Sequence, residues 1–232
     1  MLTDHSKTYK LNDIRNVVHV MRMKAILKAA RNCAKPGSIT YADYGCSNGY
    51  ITSKVARHLG ISKVFGFDHS DNVDIGAKLH PEITFKRLDL NVVHDGLPHF
   101  DLVTCFETLE HVGNIESAVE NICRSLSPEG RLLITVPIEI GWIGLLKYTL
   151  KRFFFRYDLP LLCTDRQYVM ALLKGERISK FRPPDNGFGT HFGFDYRDID
   201  DIFKRKSTLE IVSWNSGMSR FYSIGRLAQS KS

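Results

Sequence analysis

The sequence predicts a doubly wound α/β fold around a mostly parallel sheet, and three observations carry that prediction. β-prone runs and helical stretches alternate through five strands between residues 38 and 137. Three of those runs close on an acid, at Asp43, Asp68 and Asp89. The fifth run, Arg131-Leu132-Leu133-Ile134-Thr135-Val136-Pro137, is almost wholly apolar, as a strand covered on both faces must be. In such a sheet, ligands sit beyond the carboxyl ends of the strands.

Each element can be justified in turn. From Asn12, a good N-cap, Ile14, Val17, Val18, Met21 and Ala25 keep helical spacing, and Pro36-Gly37 stops the helix. This helix is expected to pack on the sheet with those residues and to close one side of a cleft. Tyr9, Arg15 and Arg22 could reach a ligand carboxylate from this helix, but the favoured reading makes them solvated residues of its outer face and leaves them out of the site. Next comes Tyr41-Ala42-Asp43-Tyr44-Gly45-Cys46-Ser47-Asn48-Gly49, a strand and tight loop, entering a helix with Ile51, Val55 and Leu59 at helical spacing. A glycine loop opening a helix leaves the main chain and the unpaired N–H groups of the first turn accessible to a ligand. Asp43 would repel a phosphate there, so a cationic or amino-bearing small molecule suits the site.

This stretch resembles the nucleotide-binding motif of class I S-adenosylmethionine-dependent methyltransferases of the small-molecule type. The resemblance covers about residues 38 to 137. It implies a seven-stranded, mostly parallel sheet closed by an antiparallel hairpin, with S-adenosyl-L-methionine as cofactor. It also implies that Asp43, Gly45, Cys46 and Gly49 receive the aminoacyl part. Cys46-Ser47-Asn48 stands where the family commonly has another glycine. Asn48, which tolerates the left-handed backbone, would substitute there, with some loss of cofactor affinity.

Val64-Phe65-Gly66-Phe67-Asp68 is the second strand. Asp68 lies nineteen residues past Gly49, where dinucleotide folds place an acid on ribose hydroxyls, and the same geometry fits an adenosine ribose; the competing role is an N-cap for the next helix. His69 follows and shapes the turn beside the cofactor. Ile83 to Leu90 forms the third strand, and the resemblance implies that Asp89 and Leu90 meet the adenine. Phe100 to Glu107 is the fourth, running into Thr108-Leu109-Glu110-His111-Val112; the resemblance puts the Phe106 backbone along the methionine moiety. His111 is one candidate catalytic base. A helix from Ile115 to Leu126 and a turn at Pro128-Glu129-Gly130 lead into the fifth strand. Near the end, Arg197 to Arg205 reads as a helix, and Leu209 to Trp214 and Phe221 to Leu227 as the closing hairpin.

Residues 138–196 exceed an ordinary connection and read as a helical cap insertion, and long insertions of this kind are usually functional; the resemblance implies that this segment covers the substrate. Trp142, Ile143, Leu146, Leu150, Phe153, Phe154 and Tyr157 share one face of a helical wheel, away from Lys147, Lys151, Arg152 and Arg156. The favoured reading packs that apolar face on the domain or a second subunit; the alternative docks 140–157 peripherally on an acidic membrane. Gly187 to Tyr196 brings glycines, aromatics and His191 together, and His191 is the preferred base for a hydroxyl acceptor.

Composition sets the outer bounds. With 232 residues, the chain fits a single domain: an N-terminal helix (1–37), a cofactor core (38–137), the cap (138–196) and a closing helix and hairpin (197–232). Hydrophobic residues at 43% and charged residues at 25% are globular values, which sets disorder aside. A net charge of +7 favours an anionic partner, although a basic surface also serves plain solubility. The five cysteines form no C-x-x-C pair and read as reduced thiols of a cytoplasmic chain with no metal site. The first thirty residues lack the apolar stretch of a signal peptide.

The leading expectation is methylation of a small or carrier-linked acceptor, most readily at a hydroxyl. An RNA methyltransferase is second, and a non-catalytic S-adenosylmethionine-binding protein third. A nicotinamide dehydrogenase would need G-x-G-x-x-G, which the lone pair Gly45 and Gly49 does not supply.

Overall fold

The computed structural model describes residues 17–154, 162–183 and 191–227. Its elements are α1 (Val17–Cys33), β1 (Thr40–Tyr44), α2 (Tyr50–Leu59), β2 (Lys63–Asp68), α3 (Asn72–Leu79), β3 (Ile83–Arg87), β4 (Phe100–Phe106), α4 (Ile115–Arg124), β5 (Leu126–Pro137), α5 (Gly141–Thr149), α6 (Asp165–Lys174), α7 (Tyr196–Lys204), β6 (Leu209–Ser216) and β7 (Ser219–Arg226). A 3-10 turn spans Leu109–His111, and a π turn, Leu150–Phe154, extends α5.

The strands form one seven-stranded sheet in the order β3-β2-β1-β4-β5-β7-β6. The first five are parallel, and β7 runs antiparallel between β5 and β6. The strand order reverses between β1 and β4, which opens a crevice at their carboxyl ends. Successive residues alternate between two cores. Ala42, Val103 and Leu132 join Val119, Ile122, Ile199 and Phe203 under α4 and α7, whereas Tyr41, Leu102 and Leu133 join Ile26, Ala30, Val55 and Ala56 under α1 and α2. The near-continuous apolar runs of the sequence are thus double-faced burial.

Helix ends follow local chemistry. Gly60, left-handed, caps α2 through its N–H to the Ala56 and Arg57 carbonyls. Asn114 accepts from the Ser117 N–H at the start of α4, and Thr164 with Gln167 makes a capping box on α6.

Several expectations need correction. The turn read at Pro128-Glu129-Gly130 is an irregularity inside β5, where pairing jumps from Phe100↔Leu126 to Leu102↔Arg131. Gly130 permits it, since a Cβ there would lie 2.7 Å from the Phe100 carbonyl oxygen. The third strand stops at Arg87, before Asp89, and the fourth at Phe106, because Glu107 turns left-handed (φ 47°). In α1, Met21 is 64% exposed and Val17 is also exposed; the buried stripe is Ile26, Ala29, Ala30 and Cys33, since the C-terminal half supplies the packed face. Tyr9, Asn12, Ile14, Arg15, Arg156, Tyr157 and Gly187 to Thr190 lie outside the described residues, as do the side chains of Val18 and Phe154.

The cap carries its own small core of Tyr148, Tyr168, Ala171, Leu172, Ile178 and Phe192. Its helix does not pack the apolar stripe on the domain. Trp142 (79% exposed), Leu146, Leu150 and Phe153 point to solvent, while Lys147 turns inward to the Ile138 carbonyl (2.9 Å) and Glu139 (3.0 Å). The inward face is held by Tyr148, whose hydroxyl donates to Asp165 at 2.6 Å. Among the described residues, no helix is long and apolar enough to cross a membrane.

Candidate functional site

A cavity of about 1100 Å³ opens at the strand reversal. Asp43, Gly45, Cys46, Asp68, His69, Leu90, Phe106, His111 and His191 all line it. Two expected residues do not. Asp89 is exposed, and its Oδ1 accepts from the N–H and amide of Asn91, closing the loop after β3. Gly49 is the left-handed N-cap of α2 (φ 77°), and a Cβ there would meet the Phe85 ring at 2.5 Å; its bareness admits a core side chain. Gly45 borders the cavity, yet a Cβ on it would lie 2.1 Å from Thr108 Oγ1, so this glycine lets the segment after β4 approach.

One wall is built from satisfied groups. The buried Asp43 accepts from Thr52 Oγ1 and Thr104 Oγ1, each at 2.6 Å. Burial nevertheless pushes its carboxyl up to about 7, against the lowering effect of both hydroxyls. Asp68 Oδ2 accepts the Ser47 N–H (2.8 Å), and Oδ1 accepts the Ser70 N–H (2.9 Å) and hydroxyl (2.7 Å). The left-handed non-glycine residue in this loop is Ser47 (φ 49°), not Asn48, whose buried side chain accepts from the Tyr50 N–H at 3.3 Å. Burial also raises the Cys46 thiol, which stays protonated.

The opposite wall is built differently. Glu110 is fully buried beside His111 and His191, whose rings stand perpendicular with centroids 4.5 Å apart. Its Oε1 lies 4.0 Å from His111 Nε2 and 3.9 Å from His191 Nδ1, too far for hydrogen bonds. Burial, then the Glu107 carboxylate, holds the Glu110 carboxyl well above its ordinary range. Burial lowers both histidines, with help from Arg182 and Lys151 at His111, and from His111 and Lys151 at His191, which falls to about 2. This bears against the preference for His191 as base. An imidazole that holds a proton so weakly has little driving force to take one from a hydroxyl.

Sequence reasoning left several lining residues aside. Arg22, read as solvated, faces the cavity and pairs with Glu107 at 3.3 Å, and His19 and Ile26 flank it from the same helix. The i, i+3 placement of His19 and Arg22 ahead of the apolar Ile26 was the available signal. Four acidic side chains, Asp43, Asp68, Glu107 and Glu110, line the cavity together with Arg22.

The protein was compared with known families and structures. A family model described as a methyltransferase domain matches residues 17–149, more than half of the chain. The ubiquinone biosynthesis O-methyltransferase of Coxiella burnetii is 31% identical over 98 residues, 40% of this chain and 41% of that protein. The mitochondrial enzyme of the same name from Saccharomyces cerevisiae is 28% identical over 119 residues, 48% of this chain and 38% of its own length. The chain thus spans about two-fifths of the relatives it matches. Magnesium protoporphyrin IX methyltransferase from Synechocystis, solved with bound SAH, superposes with a TM-score of 0.60 at 16% identity, covering 96% of this chain and 92% of that one. At that identity the likeness is one of fold. On the family match and this architecture, the chain belongs to the methyltransferase-domain family.

Proposed function

We propose that the protein moves a methyl group from S-adenosyl-L-methionine to a hydroxyl of a small or carrier-linked acceptor. The observation that carries this reading is a single cavity with an acid-and-glycine wall on one side and a carboxylate-imidazole wall on the other. When bound, the cofactor supplies a methyl group on a positively charged sulfur. Asp43, Asp68 and the loop of Gly45 and Cys46 would hold it, with His69, Leu90 and Phe106 along its length. Glu107, on the Arg22 pair, and Glu110 would set the far wall. In-line transfer asks the protein to align the acceptor and give its proton somewhere to go. Both imidazoles are about equally exposed at the cavity, and His111, whose basicity is less depressed than that of His191, is the better suited to take that proton. The hydroxyl acceptor is suggested by the relatives named O-methyltransferases.

The exposed stripe of Trp142, Leu146, Leu150 and Phe153 beside Arg152, on a chain of net charge +7, supports peripheral contact with an acidic membrane that carries the acceptor. The test is calorimetry with S-adenosylhomocysteine, followed by a screen of phenolic and catecholic acceptors for release of that product. Binding with turnover of a phenol supports the proposal. Absence of binding overturns it, and turnover confined to RNA, with steep salt dependence, replaces the acceptor class.

A further inference from the structure

The carboxylate-imidazole wall has a feature that methyl-donor binding does not explain. Glu110 is sealed from solvent, yet neither of its carboxylate oxygens has a hydrogen-bond partner among the described residues. His191 Nδ1 and Glu107 Oε1, both buried, are also unpartnered. Buried polar atoms are ordinarily satisfied, and a carboxylate left bare is especially unfavourable. Here one ligand atom from each of Glu110, His111 and His191 falls within 4.8 Å of the others. At bonds of about 2.1 Å, ligands on one tetrahedral ion stand about 3.4 Å apart, so closing the separations between the donors by about 0.5 to 1.4 Å would bring all three to a common centre.

We infer that Glu110, His111 and His191 form a binding site for a divalent first-row transition cation, with the carboxylate of Glu107 beside it as a fourth donor. The chemistry of the set selects the metal class. Two imidazoles with a carboxylate favour ions such as Mn²⁺, Fe²⁺, Co²⁺ or Zn²⁺ over Mg²⁺ or Ca²⁺, which prefer all-oxygen shells. The donors come from both sides of the cavity mouth. Glu110 and His111 sit on the rigid turn after β4, and His191 lies on the segment leading from the cap into α7. A cation would therefore fasten the cap segment to the core. Its sites not taken by protein face the cavity, where an acceptor oxygen could bind.

The role of the ion rests on the methyl-transfer reading. A cation touching the acceptor hydroxyl withdraws charge and lowers its pKa. The proton leaves to water, the oxygen's electron pair forms the C–O bond, and the C–S bond breaks to leave a neutral thioether. The imidazoles then serve as ligands, and no side chain need act as base.

The test uses tag-free full-length protein stripped with a chelator and titrated with Mn²⁺, free ion being read by electron paramagnetic resonance. Uptake of about one ion per chain is expected, weakened about 100-fold by Glu110→Gln and by His191→Ala. Circular dichroism and S-adenosylhomocysteine binding report whether each variant remains folded. No uptake by the wild type, or equal uptake by both folded variants, overturns the site. Uptake with turnover unaffected by chelator overturns the role in catalysis. Uptake without S-adenosylhomocysteine binding leaves the site standing and defeats the methyl-transfer reading instead.

Discussion

The two walls of the cavity are made of the same residue types and differ in how those residues are satisfied. On the wall of β1 and β2, both oxygens of Asp43 and of Asp68 accept hydrogen bonds from the protein. On the wall after β4, Glu110 has no such partner among the described residues, and only one Glu107 oxygen is paired, with Arg22. A satisfied carboxylate works on the fold even before a ligand arrives, because it organises the loops around it. An unsatisfied one destabilises the fold, and under the proposal above a bound cation would offset that cost. The contrast separates a pre-formed surface from a surface that is completed by its ligand.

The sharpest way to break this contrast is through pH. A carboxyl whose folded pKa is raised holds its proton more tightly folded than unfolded. Its contribution to stability is then complete below the unfolded value of 3.8 and is lost as pH climbs to about 7. For Asp43 this amounts to about 4 kcal/mol of stability lost over that span. Urea denaturation across the range should show the decline, and Asp43→Asn should flatten it. Next in size is Gly45→Ala, which places a Cβ against Thr108 in a left-handed residue. A loss of about 3 kcal/mol is expected in the same assay, with weaker S-adenosylhomocysteine binding. Asp68→Ala strands the Ser47 and Ser70 N–H groups and should cost about 2 kcal/mol, with cofactor affinity falling in calorimetry. The smallest effect has the opposite sign. Glu110→Leu, measured in chelator, should stabilise the protein by about 1 kcal/mol while abolishing methyl transfer. If this variant is destabilised like the others, the two walls are not different in kind.

Much of the site's frame was legible because it depends on local pattern. A strand that ends in an acid and a glycine loop is recognisable from a few consecutive residues, and parallel pairing brings such ends to one edge whatever the rest of the chain does. Asp43 and Asp68 were singled out this way, and both line the cavity. Asp89 followed the same pattern and failed, since its strand stops at Arg87 and Asn91 draws the carboxylate into a turn. The loop chemistry of three residues outweighed the strand pattern there.

The amphipathic stripe of the cap shows a second limit. Periodicity places Trp142, Leu146, Leu150 and Phe153 on one face but does not say which way that face looks. The ion pair of Lys147 with Glu139 and the aromatic core around Tyr148 turn the stripe outward. Periodicity is a property of one segment, whereas orientation depends on what the segment meets.

The chain order of strands, glycine turns and apolar runs was enough to specify the parallel sheet, the position of the cleft and the acid side of its wall, because these follow from backbone geometry and the alternation of side chains. The joining of Arg22 to Glu107, the role of Gly45 as a gap for Thr108, and the meeting of Glu110 and His111 with His191 came from the folded arrangement. These residues lie far apart in the chain, or depend on which atoms are left without partners once the core has closed, and neither property is written in any local run of residues.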